Sequence, residues 1–460
     1  MATTPISTKS AVITAILACF LLLYSQQEQL TDSTSTTLRE SIQWSPIQIK
    51  SYGLDAIHDD LQLAQIVNEL LEANKPVIIR DGLCQNWVHR IDWTRDYLTK
   101  HIGTSFKKVK KQLNDSRFIY FDALPEFPLH PYSRAKFKML KKIKSDKFWE
   151  IGLNESNGKY LYYSYLAPES MVAELTEIGP KPSTFFKSFD GDTTSSSSEI
   201  MLWIGFEGIM TTFHYDANIN FFQQIKGSKQ FYLISPKYWD KMHVFPRLHP
   251  SDRQSQINFD DHIDPTSHRD LVWASKLDPD AFLLGEVEEG DMLYLPPFWF
   301  HEVVTISKSY SISINIWSHS RALSVFQGRI LSDALPYAQK YGLSHQQLMN
   351  SLIAFIPKLA QYVVGEERGK ELICDTLLQS YDSMVENGNI NIRWKPVKCA
   401  RRYDGPIEIE KIGDLFRSIQ PDILPIVFLN YVESIVGYLM DPPQVLPFIQ
   451  QCLCGKNVFW

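Results

Sequence analysis

The sequence predicts a mainly β core, a double-stranded β-helix of the jelly-roll type with flanking helices, followed by an α-helical carboxyl-terminal domain. Three observations carry this reading. Strand-like segments crowd together at Ile200–Phe206, Asn220–Gln224, Lys229–Ser235, Ala281–Leu284, Met292–Leu295 and Tyr310–Trp317, with turn signals such as Lys226-Gly-Ser228 and Glu288-Glu-Gly-Asp291 between several of them. In the last segment Ile312, Ile314 and Ile316 share one face and Ser311, Ser313, Asn315 and Trp317 the other. Beyond Trp317, apolar residues recur at spacings of three and four, the period of helices. The polar face of Tyr310–Trp317 suits either a hydrated barrel interior or the wet side of a sandwich, and alternation alone does not choose.

The 460 residues divide into an apolar leader (1–25), a Gln-, Ser- and Thr-rich tether (26–45), the barrel region (46–328) and the helical region (329–460). With 44% hydrophobic residues the composition is that of an ordinary globular protein, and a net charge of -6 argues against general binding to nucleic acid. One local exception is the basic run Lys136 to Lys147, read as a solvated helix face.

Ala11 to Tyr24 is unbroken by charge, with Lys9 before it and Glu28 and Asp32 after it. It falls short of the roughly 20 residues that span a bilayer comfortably, and Leu23 spoils a cleavage site before Ser25. We expect an uncleaved signal anchor across residues 6–25, with a cleaved signal peptide as the competing reading, leaving the folded part in the lumen of the endoplasmic reticulum or another secretory compartment. A cytoplasmic location is the alternative. Cys84, Cys374, Cys399, Cys452 and Cys454 have no zinc-like spacing and settle neither compartment nor disulfides. The sequons at Asn114 and Asn154 are usable only in a lumen.

In chain order, Asp59–Ala73 has helical spacing, Pro76–Ile79 reads as a short buried strand, and Trp93–His101 as a helix. Phe118–Phe121 and Tyr160–Leu166 are β-prone, and Asp190–Ser198 is low-complexity loop. Ala322–Tyr341, Ser344–Tyr362, Glu366–Val385 and Ile407–Tyr438 read as helices that cover the barrel or mediate a homodimer.

The chemistry centres on Thr211-Thr-Phe-His-Tyr-Asp216. Residues two apart on a strand point the same way, so His214 and Asp216 offer a nitrogen and an oxygen to one metal ion. His301, in Pro296-Pro-Phe-Trp-Phe-His301, completes two histidines and a carboxylate, the donor set that leaves positions open on non-haem Fe(II). A keto acid bound there needs a cation for its far carboxylate, and Lys229 opens the strand after Gly227.

These blocks, with Asn220-Phe-Phe-Gln-Gln-Ile-Lys-Gly-Ser-Lys229, His249–Asp260, Gly290–Pro296 and Asn315-Ile-Trp317, resemble the Jumonji-C 2-oxoglutarate oxygenases of cupin architecture, and more narrowly their asparaginyl hydroxylases. The resemblance covers residues 50 to 320. It implies His214, Asp216 and His301 as ligands of Fe(II), Lys229 as partner of 2-oxoglutarate, and Thr211, Tyr162, Asn220 and Asn315 around the co-substrate. Tyr160 and Tyr163 compete with Tyr162, and strand parity puts Thr211 opposite His214 unless a bulge intervenes. Arg253 and Gln254 match a pair that holds the target amide, Tyr120 a tyrosine lining the same pocket, and Trp317 joins the substrate-facing set. The activity implied consumes 2-oxoglutarate and O2, releases succinate and CO2, and hydroxylates a protein or peptide side chain, asparagine or similar. The leader, the Ser-rich insertion and the long helical end depart from the asparaginyl hydroxylase pattern. The alternatives are an oxygenase acting on a modified tRNA base or a methylated histone lysine, and a non-catalytic scaffold.

Overall fold

The computed structural model describes residues 36–52, 60–118, 138–154, 158–185, 199–261, 268–331, 335–386, 394–399 and 403–455. The expected anchor (6–25), the Ser-rich stretch 190–198 and Tyr120 lie outside the described residues. Among the described residues no single helix is long and apolar enough to cross a membrane.

The described residues fall into two compact units, those within 1–43 with those within 258–277, and those within 44–257 with those within 278–460. In the smaller unit Thr37 and Glu40 cap the helix Leu38–Ser41 reciprocally, and Arg39 pairs with Asp260 at 2.8 Å. Gln43 N–H donates to Ser275 Oγ on the helix Arg269–Leu277.

The larger unit holds two sheets. One contains β1 (Ser45–Pro46), β8 (Met210–Tyr215), β10 (Lys229–Ile234), β11 (Phe282–Val287) and β13 (Phe300–Thr305), in the order β1-β11-β10-β13-β8. The other is built from β2 (Gln48–Ser51), β3 (Val77–Arg80), β4 (Ser105–Leu113), β5 (Lys138–Lys144), β6 (Lys159–Leu166), β7 (Glu199–Phe206), β9 (Asn218–Lys226), β12 (Met292–Leu295) and β14 (Tyr310–His319). Its order is β2-β3-β12-β9-β14-β7-β6-β4-β5, so β14 pairs with β9 and β7 at its centre.

The isoleucine face of β14 joins one core cluster with Leu63, Val67 and Leu70 of helix α1 (Asp60–Ala73) and with Leu175 of helix α2 (Glu169–Ile178). Those helices cover the outside of the sheet, and burying their apolar stripes there is the main driving force for this layer. A second cluster, including Phe222, Phe231, Leu233, Leu293 and Trp299, lies between the sheets. Ser311, Ser313 and Asn315 are all buried, so the polar face of β14 looks into the barrel and the sandwich alternative falls.

The basic run is corrected. Residues 138–144 form strand β5, antiparallel to β4, and not a helix face. Met139, Leu140 and Ile143 fit either period, and pairing with β4 decides between them.

The carboxyl-terminal helices include α3 (His345–Val364), opened by a Ser344/Gln347 capping box, and α4 (Leu424–Leu439), which is buried on nearly every side. The helical stretch expected from Ile407 to Tyr438 comprises two helices, Glu410–Arg417 and α4, with Pro421 in the break between them. Disulfides join Cys374 to Cys454 and Cys399 to Cys452, and Cys84 is a free core thiol. Counting cysteines missed this because parity is uninformative once Cys84 is taken up by packing.

Candidate metal centre

His214 on β8 sits directly across from His301 on β13, with the ring centroids 4.1 Å apart. Asp216 follows the end of β8, and its Oδ2 is 3.8 Å from His301 Nε2. One donor atom from each of the three lies within 4.8 Å of the others. Each imidazole is oriented by its own strand: His214 Nδ1 is 2.8 Å from Thr212 O and His301 Nδ1 is 3.0 Å from Trp299 O. A carbonyl only accepts, so Nδ1 carries the proton in both rings and the Nε2 lone pairs are free for a metal.

Electrostatics agree with that tautomer. Burial pulls both imidazoles down, His214 to about 3 with help from the neighbouring His301, so both are neutral at physiological pH. Burial alone raises the Asp216 carboxyl, but its charged surroundings outweigh that and hold it below the usual range. Those surroundings are His214 and His301 first and then Arg253, the one permanent cation of the three, whose Nη1 lies 3.2 Å from Asp216 Oδ1.

The register between β8 and β13 shifts between His301 and Val303, because His301 opposes His214 while Val303 opposes Thr211. This bulge on β8 answers the parity objection and turns Thr211 to the side of His214. Thr211 hydrogen-bonds Tyr162, and both line a cavity of about 480 Å³ with the three metal-ligand candidates. Tyr163 instead packs edge-on against Phe106 in the core, 5.3 Å between centroids, which separates the competing tyrosines.

Lys229, 2% exposed, lines the same cavity. Its Nζ donates to Ser313 Oγ at 3.2 Å, lies over the rings of Phe222 and Tyr162, and forms no ion pair among the described residues. Burial pulls this ammonium down to about 7. The turn that delivers it needs Gly227, where φ is +73° and a Cβ meets Ser307 Oγ and the Tyr310 carbonyl. Asn315 Nδ2 donates to Asn220 Oδ1 at 3.0 Å, while Asn315 Oδ1 and Trp317 Nε1 are buried with no hydrogen-bond partner among the described residues. Asn220, Asn315, Trp317, Arg253 and Gln254 all line the cavity; Tyr120 lies outside the described residues.

Sequence reasoning missed two contributors. Lys110 of β4 lines the cavity and is pulled down to about 8 by burial; within the run Lys107–Lys111 nothing marks it out. Glu433, the one acidic residue of apolar helix α4, was legible as an anomaly. It is 3% exposed and accepts from Arg247 N–H at 2.9 Å and Tyr381 O–H at 2.7 Å. Arg247 in turn pairs with Asp252 at 2.5 Å, next to Arg253. Tyr215 N–H donates to Arg253 O, and Asn430 of α4 donates to Tyr215 Oη at 3.2 Å. The carboxyl-terminal helices thus hold the loop that carries Arg253, whose φ of +67° is a conformation that needs such support.

Burial raises Glu433 from 4.5 to about 7 despite its two donors. Between those values the folded chain keeps a proton that the unfolded chain has released, so this group's contribution to stability falls as pH rises through the window. Thermal unfolding of wild type and Glu433→Gln from pH 5 to 8 should show the midpoint of the wild type declining relative to that of the variant. Parallel curves would refute the assignment.

The family profile described as a Cupin-like domain matches residues 63–322, more than half of the chain. The chain belongs to the cupin-like domain family. JmjC domain-containing protein E of Dictyostelium discoideum is 26% identical over 296 residues, 55% of this chain and 80% of that protein. tRNA wybutosine-synthesizing protein 5 of Mus musculus is 26% identical over 267 residues, 55% of this chain and 75% of that protein. Lysine-specific demethylase JMJ30 of Arabidopsis thaliana is 32% identical over 260 residues, 56% of this chain but 53% of that protein. The cupin-like domain therefore contains both sheets' long strands and every residue that lines the cavity, while Glu433 supports it from outside.

Proposed function

We propose that this protein is an Fe(II)- and 2-oxoglutarate-dependent oxygenase that hydroxylates a protein side chain, asparagine or one like it. The observation that carries the proposal is a single cavity joining an open two-histidine, one-carboxylate face to a buried ammonium with no ion-pair partner among the described residues. That donor set suits Fe(II), and an unpaired buried cation suits the distal carboxylate of a keto acid. When bound, iron and 2-oxoglutarate supply the oxidising chemistry, releasing succinate and CO2. His214, Asp216 and His301 hold the metal, with the imidazoles fixed by Thr212 O and Trp299 O. Lys229, Thr211, Tyr162, Asn220 and Asn315 hold the co-substrate. Arg253 steadies the ligand carboxylate, and with Gln254 and Trp317 faces the space left for substrate.

We place this activity in an oxidising compartment. Two disulfides and the sequons at Asn114 and Asn154 support the secretory lumen expected from the amino-terminal leader. The names of the mouse and Arabidopsis relatives favour a second reading, a modified tRNA base or a methylated lysine. The discriminating experiment incubates the protein with Fe(II), 2-oxoglutarate and, separately, pooled peptides and total tRNA, and follows succinate. Succinate release stimulated by peptide, together with a peptide gaining one oxygen, supports hydroxylation. Stimulation by tRNA alone, or loss of a methyl group from peptide lysine, sinks it in favour of the second reading.

A further inference from the structure

The ribbon formed by β4 and β5 sets lysine against lysine. Lys107 lies opposite Lys142, and Lys111 opposite Lys138. Like charges directly opposed across neighbouring strands destabilise a sheet. Among the described residues, none of Lys107, Lys108, Lys111, Lys138, Lys141 or Lys142 enters an ion pair, in a chain whose net charge is -6. Lysines do guard sheet edges against unwanted pairing. That accounts for β5, the edge strand, but not for β4, which is paired on both sides, to β5 and to β6.

The ribbon also adjoins the candidate centre. Lys110 and its cross-strand partner Met139 both line the metal-site cavity, one residue along from the Lys111–Lys138 pair. A surface that binds single-stranded nucleic acid combines its charges with exposed aromatic rings for base stacking. The one aromatic residue within the two strands, Phe106, is buried in the core.

We propose that this lysine ribbon docks an acidic segment of the polypeptide substrate, flanking the residue that enters the cavity. The inference rests on the oxygenase reading above and names its substrate class. The opposed lysines are then a repulsion retained for binding, relieved when carboxylates settle between them.

The test uses the full chain, a labelled glutamate-rich peptide, a neutral Ser/Gly peptide and single-stranded RNA of equal length, with binding read by fluorescence anisotropy. We expect the glutamate-rich peptide to bind, more weakly as salt rises. Combining Lys107→Gln, Lys111→Gln, Lys138→Gln and Lys142→Gln should weaken it about tenfold. The same variant should unfold at a higher temperature and keep the visible band that Fe(II) and 2-oxoglutarate produce together. Lys107→Glu, which turns one repulsive pair into an attractive one, is the second variant and should also weaken binding. Peptide affinity unchanged in both variants, or RNA bound more tightly than the peptide, overturns the proposal. Lysine-dependent peptide binding without that band keeps the ribbon as an acidic-peptide surface and sinks the oxygenase reading instead.

Discussion

Replacing His214 with alanine is expected to abolish the visible charge-transfer band that Fe(II) and 2-oxoglutarate produce together under anaerobic titration, and with it succinate production. The reason is geometric. His214 and His301 face each other across two strands, and Asp216 closes the set, so losing one imidazole leaves two donors where a facial site needs three. Removing a residue that merely orients a metal ligand costs roughly 10- to 100-fold in affinity, and removing the ligand itself should cost more. The protein should still fold, because His214 belongs to neither of the two core clusters formed by the described residues. A variant that keeps the band and the turnover would mean that these three side chains do not hold the iron.

Lys229→Met carries the second large effect, and two readouts should move in opposite directions. The ammonium is buried with the Ser313 hydroxyl as its one hydrogen-bond partner among the described residues, and burial pulls it down to about 7. Lowering a lysine in this way means that charging it costs folding free energy. The sign follows from linkage: between about 7 and 10.5 the folded chain has lost a proton that the unfolded chain keeps, so this group's contribution to stability improves as pH rises through that window. Below it, the uncompensated charge is fully present. At pH 6 the methionine variant should therefore unfold at a higher temperature than wild type. The same variant should lose 2-oxoglutarate, with its half-saturating concentration raised by ~100-fold or more, because a buried carboxylate without its cation is strongly disfavoured. Unaltered 2-oxoglutarate dependence would remove Lys229 from the co-substrate site, and a lowered unfolding temperature at pH 6 would show that its charge is already satisfied in the free protein.

Several features were open to direct reading. The crowded strands, the switch to helical spacing after Trp317 and the alternation of Tyr310–Trp317 are properties of local periodicity, which the backbone geometry of each element imposes on its own residues. The His-x-Asp spacing belongs with them, since in extended backbone residues two apart point to one side, and Asp216 keeps that side just past the end of β8. The reading failed where two periods fit equally, as in 138–144, and where a pairing was long-range, as in Cys374–Cys454 and Cys399–Cys452.

By itself, then, the sequence determined which segments are strands or helices and which side chains share a face. The tertiary structure alone decided what each face meets. The bulge that turns Thr211 inward arises from the register of β8 against β13, and no pattern within β8 announces it. Glu433 reaches the loop carrying Arg253 from a helix nearly two hundred positions away, Lys110 reaches the cavity from a strand that looks wholly solvated, and Lys107 meets Lys142 because two strands happen to pair in that register. Periodicity is set by neighbours along the chain, but burial, charge environment and metal geometry depend on neighbours in space, and those exist only once the sheets have closed.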